Sequence, residues 1–300
     1  MKVVIAGASG FIGKALVTDL RGHGHQVSTL VRRGPVSESE FQWHPERGEL
    51  DPLVLAGADA VISLSGAGVA DNRWNDAYRQ VLVQSRVQPT TTIARVLAEL
   101  PAELRPESFL SASAIGYYGD RGDEPLPESA AAGAGFMVDL VRRWEAATEA
   151  AAAAGVRVVT LRTGLVLSRT GGLMKRLIPL FKLGVGGRLG SGRQYQPWIT
   201  LADEIGAIRH ILQTGQLQGP VNLVGPEPVP NAEFSAELAR ALHRPAMLPA
   251  PAFGLRLVLG SFANEGVLLS QRVLPEKLIG SGYRFEHADL RSALAWAIAH

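Results

Sequence analysis

The sequence contains no cysteine at all, which excludes disulfides, thiolate metal sites and cysteine nucleophiles together and suits a reducing compartment. An excess of one charge is also missing. Lys plus Arg number 30 against 28 Asp plus Glu, a net charge of +2, which is too even for an electrostatic footprint on nucleic acid. Nor is there a long apolar run. A membrane-spanning helix needs roughly 18 to 20 uninterrupted apolar residues, and the nearest candidate, FGLRLVLGSF, is short and carries Arg256. Neither nucleic acid nor membrane is therefore expected as a partner. The histidines at 23, 25, 44, 210, 243, 287 and 300 show no metal-ligand spacing backed by carboxylates, so no metal is expected either.

What is present is an ordinary globular composition, 300 residues with 46% hydrophobic and 19% charged side chains, enough to bury a full core. The first apolar run begins at Val3, so no targeting segment is expected ahead of the fold and a cytoplasmic location is expected. Short β-branched runs (VVIAG, QVSTLVR, DAVISLSG, SFLSAS, VRVVTLR) alternate with helical stretches at 11–24, 74–100 and 136–154. Strands that recur with helices between them pair in parallel, and their unbroken apolar character fits strands covered on both faces.

The expected fold class is α/β, a Rossmann-like doubly wound parallel sheet over residues 1–165. A smaller C-terminal α/β substrate lobe is expected over 166–300, with a segment near 200–225 returning to the sheet. Gly-rich LGVGGRLGSGRQ, strand-like PVNLVG, proline-dense VGPEPVPN and PAMLPAPAFG, and helices near 231–242 and at the C-terminus mark that lobe. EAATEAAAAAG reads as plain helix with Gly155 as its stop.

In GASGFIG, Gly7, Gly10 and Gly13 stand between a strand and an amphipathic helix. Glycine is needed where the chain turns tightly, where backbone approaches a pyrophosphate and where helix packs on strand. The turn and first helical residues, Gly7, Ser9, Gly10, Phe11, Ile12 and Gly13, thus form an expected dinucleotide cradle at a helix N-terminus. The second strand ends in Val31, Arg32 and Arg33, with no acid until Glu38. An acid there would select NAD through the ribose 2′-hydroxyl, whereas a guanidinium binds a 2′-phosphate, so NADP(H) is the expected cofactor.

With these motifs the chain resembles the extended short-chain dehydrogenase/reductase superfamily. DAVISLSGAG is similar to its fourth strand and loop, SFLSASAIGYYGD to its fifth strand, VVTLRTGLVL to its sixth, and GSGRQYQPWITLADEIGAI to the segment leading into the substrate lobe. RWNDAYRQVLVQSR, FMVDLVRRWEAA and GSGRQYQPWI narrow the resemblance to a subgroup of nucleoside-diphosphate-sugar epimerase, or epimerase family, proteins. The resemblance implies that Leu64, Ser65 and Gly66 line the cofactor and that Thr163 and Leu165 lie near its nicotinamide end.

Catalysis in that superfamily uses a tyrosine with a lysine four residues later on one helix face, beside a serine that orients the reacting oxygen. Here the tyrosines at 78, 117, 118, 195 and 283 are followed at that interval by Leu82, Arg121, Gly122, Ile199 and His287. The helix that should carry the pair offers Phe136 or Met137, then Leu140 or Val141. The remaining catalytic candidates are Ser113, Tyr117 and Tyr118. Arg193, in the Gly-rich loop, is the candidate for a substrate-phosphate contact.

Arg73, Trp74, Arg86, Trp144, Glu145 and Trp198 also stand out, although a tryptophan on a helix is more often core and an arginine more often solvated. The leading expectation is an NADP(H)-binding oxidoreductase or sugar-nucleotide epimerase lacking the YxxxK pair, acting on a small polar or nucleotide-linked substrate, with a homodimer as its assembly. The alternative is a non-catalytic NADP(H)-binding regulatory or interaction protein.

Overall fold

In the computed structural model, which describes residues 1–246 and 248–300, Val3 to Ala6 are buried on both faces. Met247, in the proline-dense PAMLPAPAFG stretch, lies outside the described residues. That first run forms β1 (Lys2–Ala6). It is followed by α1 (Phe11–Gly22), β2 (Gln26–Val31), β3 (Glu40–Gln42), β4 (Ala60–Ser63), α2 (Asp76–Glu99) and β5 (Ser108–Ala114). Next come β6 (Pro125–Leu126), α3 (Phe136–Ala146), α4 (Glu149–Ala153), β7 (Arg157–Thr163), β8 (Leu165–Leu167) and α5 (Met174–Lys182). The chain continues through β9 (Tyr195–Gln196), β10 (Trp198–Thr200), α6 (Leu201–Gln213), β11 (Gly219–Leu223), β12 (Val229–Pro230) and α7 (Asn231–Ala241). It closes with α8 (Ala252–Leu259), β13 (Arg272–Val273), α9 (Glu276–Gly280) and α10 (Leu290–Ala299).

Seven strands form one sheet in the order β11-β7-β5-β4-β1-β2-β3, and every neighbouring pair is parallel. This is the Rossmann-like α/β fold. Side chains alternate across β1: Val3 and Ile5 pack with Leu16 and Leu20 of α1 and Ile208 of α6, while Val4 and Ala6 pack with Ile93 and Leu97 of α2. A separate cluster gathers buried residues of α5, α7 and α10 with Trp198 and Phe234. Among the described residues no helix is long and apolar enough to cross a membrane.

Two helix boundaries differ from the sequence pattern. The 74–100 helix begins at Asp76, because the Asn75 side chain accepts the Tyr78 N–H as an N-cap. Trp74 is left outside it, buried between the rings of Phe136 at 5.4 Å and Phe262 at 5.2 Å. The 136–154 stretch splits into α3 and α4, with the Thr148 hydroxyl donating to the Glu145 carbonyl at 2.7 Å, a side-chain bond that competes with the helix ladder. Gly155 ends it at φ +86°.

The order of strands reverses at β1, whose neighbours are β2 on one side and β4 on the other. Such a switch point opens a crevice at the carboxyl ends of the strands. Ala6 pairs with Ser63, so the next residues of both strands leave the sheet side by side. A Cβ on Gly7, at φ +79°, would lie 2.6 Å from the Leu64 carbonyl carbon and 2.9 Å from the Ser65 nitrogen. Gly24 has nearly the same φ, +78°, but open space around it. Gly24→Ala is therefore expected to cost only the left-handed strain, about 1–2 kcal/mol. Gly7→Ala adds a backbone clash and is expected to lower the melting temperature several times further, as thermal denaturation of the two variants checks.

Candidate functional site

Gly10 stands before α1 in extended conformation (φ −72°, ψ 174°), no side chain caps the helix, and its first turn holds no acidic residue. The first N–H groups of a helix lack intrahelical partners and sit at the positive end of its dipole, so this end is open to an anion. It faces a cleft of about 580 Å³ lined by Gly7, Ser9, Gly10, Arg32, Arg33, Leu64, Ser65 and Gly66. The turn, the end of β2 and the loop after β4 thus share one void.

Phe11, Ile12, Gly13, Thr163 and Leu165 do not line that cleft. The Phe11 ring packs against Gly171 and Gly172. Gly13 serves close packing, since a Cβ there would lie 2.8 Å from the Ala8 Cα. Leu165 starts β8, with its N–H donating to the Pro197 carbonyl at 2.9 Å. Trp43, Val81, Gln84, Ser85 and Gln88 line the cleft too, and sequence reasoning missed them. The last four fall at helical i, i+3, i+4, i+7 spacing, so a mostly polar face on α2 was the available signal.

The two arginines at the end of β2 are not equivalent. Arg33 forms a two-pronged pair with Glu40, Nη1 and Nη2 each 2.8 Å from a carboxylate oxygen, and also donates to the Gly34 carbonyl. Glu40 lies on β3, whose pairing with β2 brings it back beside Arg33. Arg32 forms no hydrogen bond or ion pair among the described residues and lines the cleft. Of the expected pair, Arg32 is thus the one available to an anion.

The second half of the crevice lies at the ends of β5 and β7, where Ser113 pairs with Arg162 and Ala114 with Thr163. Arg162, 3% exposed, binds Glu145 of α3 through Nε at 2.8 Å and Nη2 at 2.9 Å. Burial works against its charge, but Glu145 outweighs it and the guanidinium pKa is raised. Ser113 donates its hydroxyl to the same carboxylate at 2.6 Å. The Tyr117 ring lies flat under the guanidinium, 3.5 Å from its centre.

Tyr118 is fully buried. Its hydroxyl donates to Asn222 Oδ1 at 2.7 Å and accepts from Arg162 Nη1 at 3.1 Å, and burial pushes its pKa up. It is a core group with both bonds committed, which removes it from the catalytic candidates. Leu140 and Val141 of α3 are buried in an apolar cluster with Trp74, Leu82 and Trp144. Arg193 is exposed on its loop and does not line the cleft; its backbone N–H donates to Ser191 Oγ at 3.3 Å.

Thr163 holds a group that sequence reasoning did not anticipate. Its hydroxyl donates to Glu204 Oε1 at 2.8 Å, while Glu204 Oε2 is buried without a partner. Burial pushes the Glu204 carboxyl up to about 8, against the smaller opposing effect of the Thr163 bond. The folded chain then binds a proton that the unfolded chain releases above its ordinary carboxylate value, so stability falls as pH rises from about 4.5 through 8. Glu204→Gln, which keeps the shape and never ionises, is expected to flatten the fall in melting temperature between pH 5 and pH 8.5, as scanning calorimetry across that range checks.

The comparisons with known proteins agree with this geometry. The model of the NAD dependent epimerase/dehydratase family matches residues 3–224, and that of a domain of unknown function, DUF1731, matches residues 250–297. Epimerase family protein Mb2239 of Mycobacterium bovis is 45% identical over 295 residues, covering 98% of this chain and 97% of that protein. Human epimerase family protein SDR39U1 (isoform 2), solved with NADPH, superposes with a TM-score of 0.91 at 30% identity over 100% of both chains. The nucleoside-diphosphate sugar epimerase from Corynebacterium glutamicum gives a TM-score of 0.82 at 33% identity, covering 99% of this chain and 58% of that one. A Rossmann-like sheet with an open helix N-terminus at its switch point, matched along nearly its whole length by these relatives, makes this chain a member of the NAD-dependent epimerase/dehydratase family.

Proposed function

We propose that this chain binds NADP(H) in the cleft at the β1/β4 switch point and acts with it as an oxidoreductase or sugar-nucleotide epimerase on a small polar or nucleotide-linked substrate. The observation that carries the cofactor assignment is Arg32, a guanidinium without a partner among the described residues that lines the same cleft as Gly7, Ser9 and Gly10. The uncapped start of α1 suits a diphosphate, and Arg32 suits a 2′-phosphate. The human relative solved with NADPH supports the same cofactor. The substrate class is supported by the name of the Corynebacterium relative, a nucleoside-diphosphate sugar epimerase.

When bound, the cofactor supplies or accepts a hydride. The accompanying proton falls to this chain. Tyr117 is half-buried just past the end of β5, its ring fixed by Arg162, and its hydroxyl makes no hydrogen bond among the described residues. In this reading it exchanges the proton with the substrate oxygen, donating it when hydride is delivered and taking it when hydride is removed. Ser113, donating to Glu145, keeps its lone pairs to accept a bond from a substrate hydroxyl. A second reading, NADP(H) binding without turnover, is favoured by one observation: α3 carries buried Leu140 and Val141 where a lysine would hold the tyrosine's proton chemistry.

Arg32→Asp is expected to weaken NADPH binding by about tenfold or more while leaving NADH nearly unchanged, because it replaces a charge-assisted bond by repulsion; unchanged NADPH affinity in a fluorescence titration contradicts the assignment. Turnover is read by incubating the protein with stereospecifically deuterated NADPH, carbonyl compounds and nucleotide sugars. Label is expected to move to a product, and Tyr117→Phe to slow that transfer by about 10²-fold or more with NADPH affinity intact. Absence of transfer across the panel, with NADPH still bound, selects the non-catalytic reading.

A further inference from the structure

Among the described residues two arginines are deeply buried near the crevice, and only one has a counter-charge. Arg162 is saturated by Glu145. Arg86, in α2 and 8% exposed, donates from Nη1 to the Leu82 carbonyl at 3.0 Å and from Nη2 to the Ala67 carbonyl at 2.9 Å. It forms no ion pair among the described residues, and burial lowers its pKa to about 10, which still leaves it charged at neutral pH. A buried charge without an opposite charge is costly, and an anion in the neighbouring cleft would offset that cost.

The surroundings of Arg86 show where that anion would come from. A Cβ on Gly66 would lie 3.2 Å from the guanidinium carbon, so one glycine of main chain separates the charge from the cleft that Gly66, Ala67 and Ser85 line. The neighbouring Ser85 accepts the Ala67 N–H at 3.0 Å. Consecutive residues of α2 therefore grip both the N–H and the carbonyl of one residue, Ala67, in the loop that walls the cleft. Trp144 of α3 closes the other side, its ring centre 5.2 Å from the guanidinium. The one carboxylate lining the cleft, Glu46, sits at the Trp43 and Pro45 side, 3.4 Å from His44.

We propose that Arg86 is the positioning cation of the cleft: it fixes the 64–68 loop through Ala67, and the diphosphate of the bound dinucleotide is its counter-charge. This rests on the NADP(H) reading above. Through a thin, low-dielectric wall the attraction acts without direct contact, and it is screened by salt less than an exposed pair would be.

The test titrates NADPH, and adenosine 2′-monophosphate, which keeps the 2′-phosphate but has no phosphate on its 5′ carbon, into wild type, Arg86→Met, Arg86→Lys and Ser85→Ala, with melting curves to establish folding. Arg86→Met is expected to weaken NADPH by about tenfold or more and the 2′-monophosphate by less than about threefold. Ser85→Ala, which removes half of the grip without touching the charge, is expected to leave the ratio of the two affinities as in wild type. Arg86→Lys, which keeps the charge, is expected to hold NADPH affinity within about threefold.

Equal losses for both ligands in Arg86→Met, or no loss in the folded variant, would overturn the proposal. If Arg86→Met does not fold, a tenfold loss of NADPH binding in folded Arg86→Lys would overturn a role resting on charge, and retained affinity would support it. A wild-type protein that binds neither ligand overturns the NADP(H) reading itself, a result distinct from any of these.

Discussion

The close passage of Gly7 beneath the main chain of Leu64 and Ser65 is the constraint on which the rest of the site depends. β1 and β4 end level with each other, and only a residue without a side chain, at positive φ, fits between their diverging continuations. That passage sets the position of the α1 N-terminus against the 64–68 loop. The end of β2, paired with β1 through Ala6 and Leu30, then delivers Arg32 to the same void. A switch point in a parallel sheet makes a crevice in any such fold; the glycine makes this one narrow enough to be gripped from both sides.

Positive charge around the crevice comes from unusual places. α3 turns an apolar face inward through Leu140, Val141 and Trp144, and the buried cations stand instead on β7, as Arg162, and on α2, as Arg86. The two differ in what they are ready to do. Arg162 is locked into a network with Glu145, Ser113 and Tyr118, which makes it a fixed support for the Tyr117 ring. Arg86 donates to the Leu82 and Ala67 carbonyls and the Ser85 hydroxyl and meets no carboxylate among the described residues, so its charge stays unneutralised beside the cleft.

The cofactor turn was legible because its signal is local: a glycine triplet directly after an apolar strand and before an amphipathic helix says where backbone comes close to backbone. The sheet was legible from alternation of strands and helices, since parallel pairing forces the crossovers. What stayed hidden depends on pairing between distant residues. Glu40 neutralises Arg33 only because a three-residue strand, β3, returns beside β2, and nothing in VRRGPVSESE marks that return. Tyr118 looked like its neighbour Tyr117, yet one is bonded to Asn222 in the core and the other is half-buried against the Arg162 guanidinium. Glu204 stands in the first turn of α6, where nothing local marks it as buried, and its burial follows from α6 packing against the end of β7 at Thr163.

The most direct measurement of the central claim is a calorimetric titration of the unmodified protein with NADPH and, separately, with NADH at moderate salt. An Arg32 free to meet a 2′-phosphate predicts NADPH binding tighter by about tenfold or more, the size of one charge-assisted contact. Equal affinities, or a preference for NADH, would contradict it.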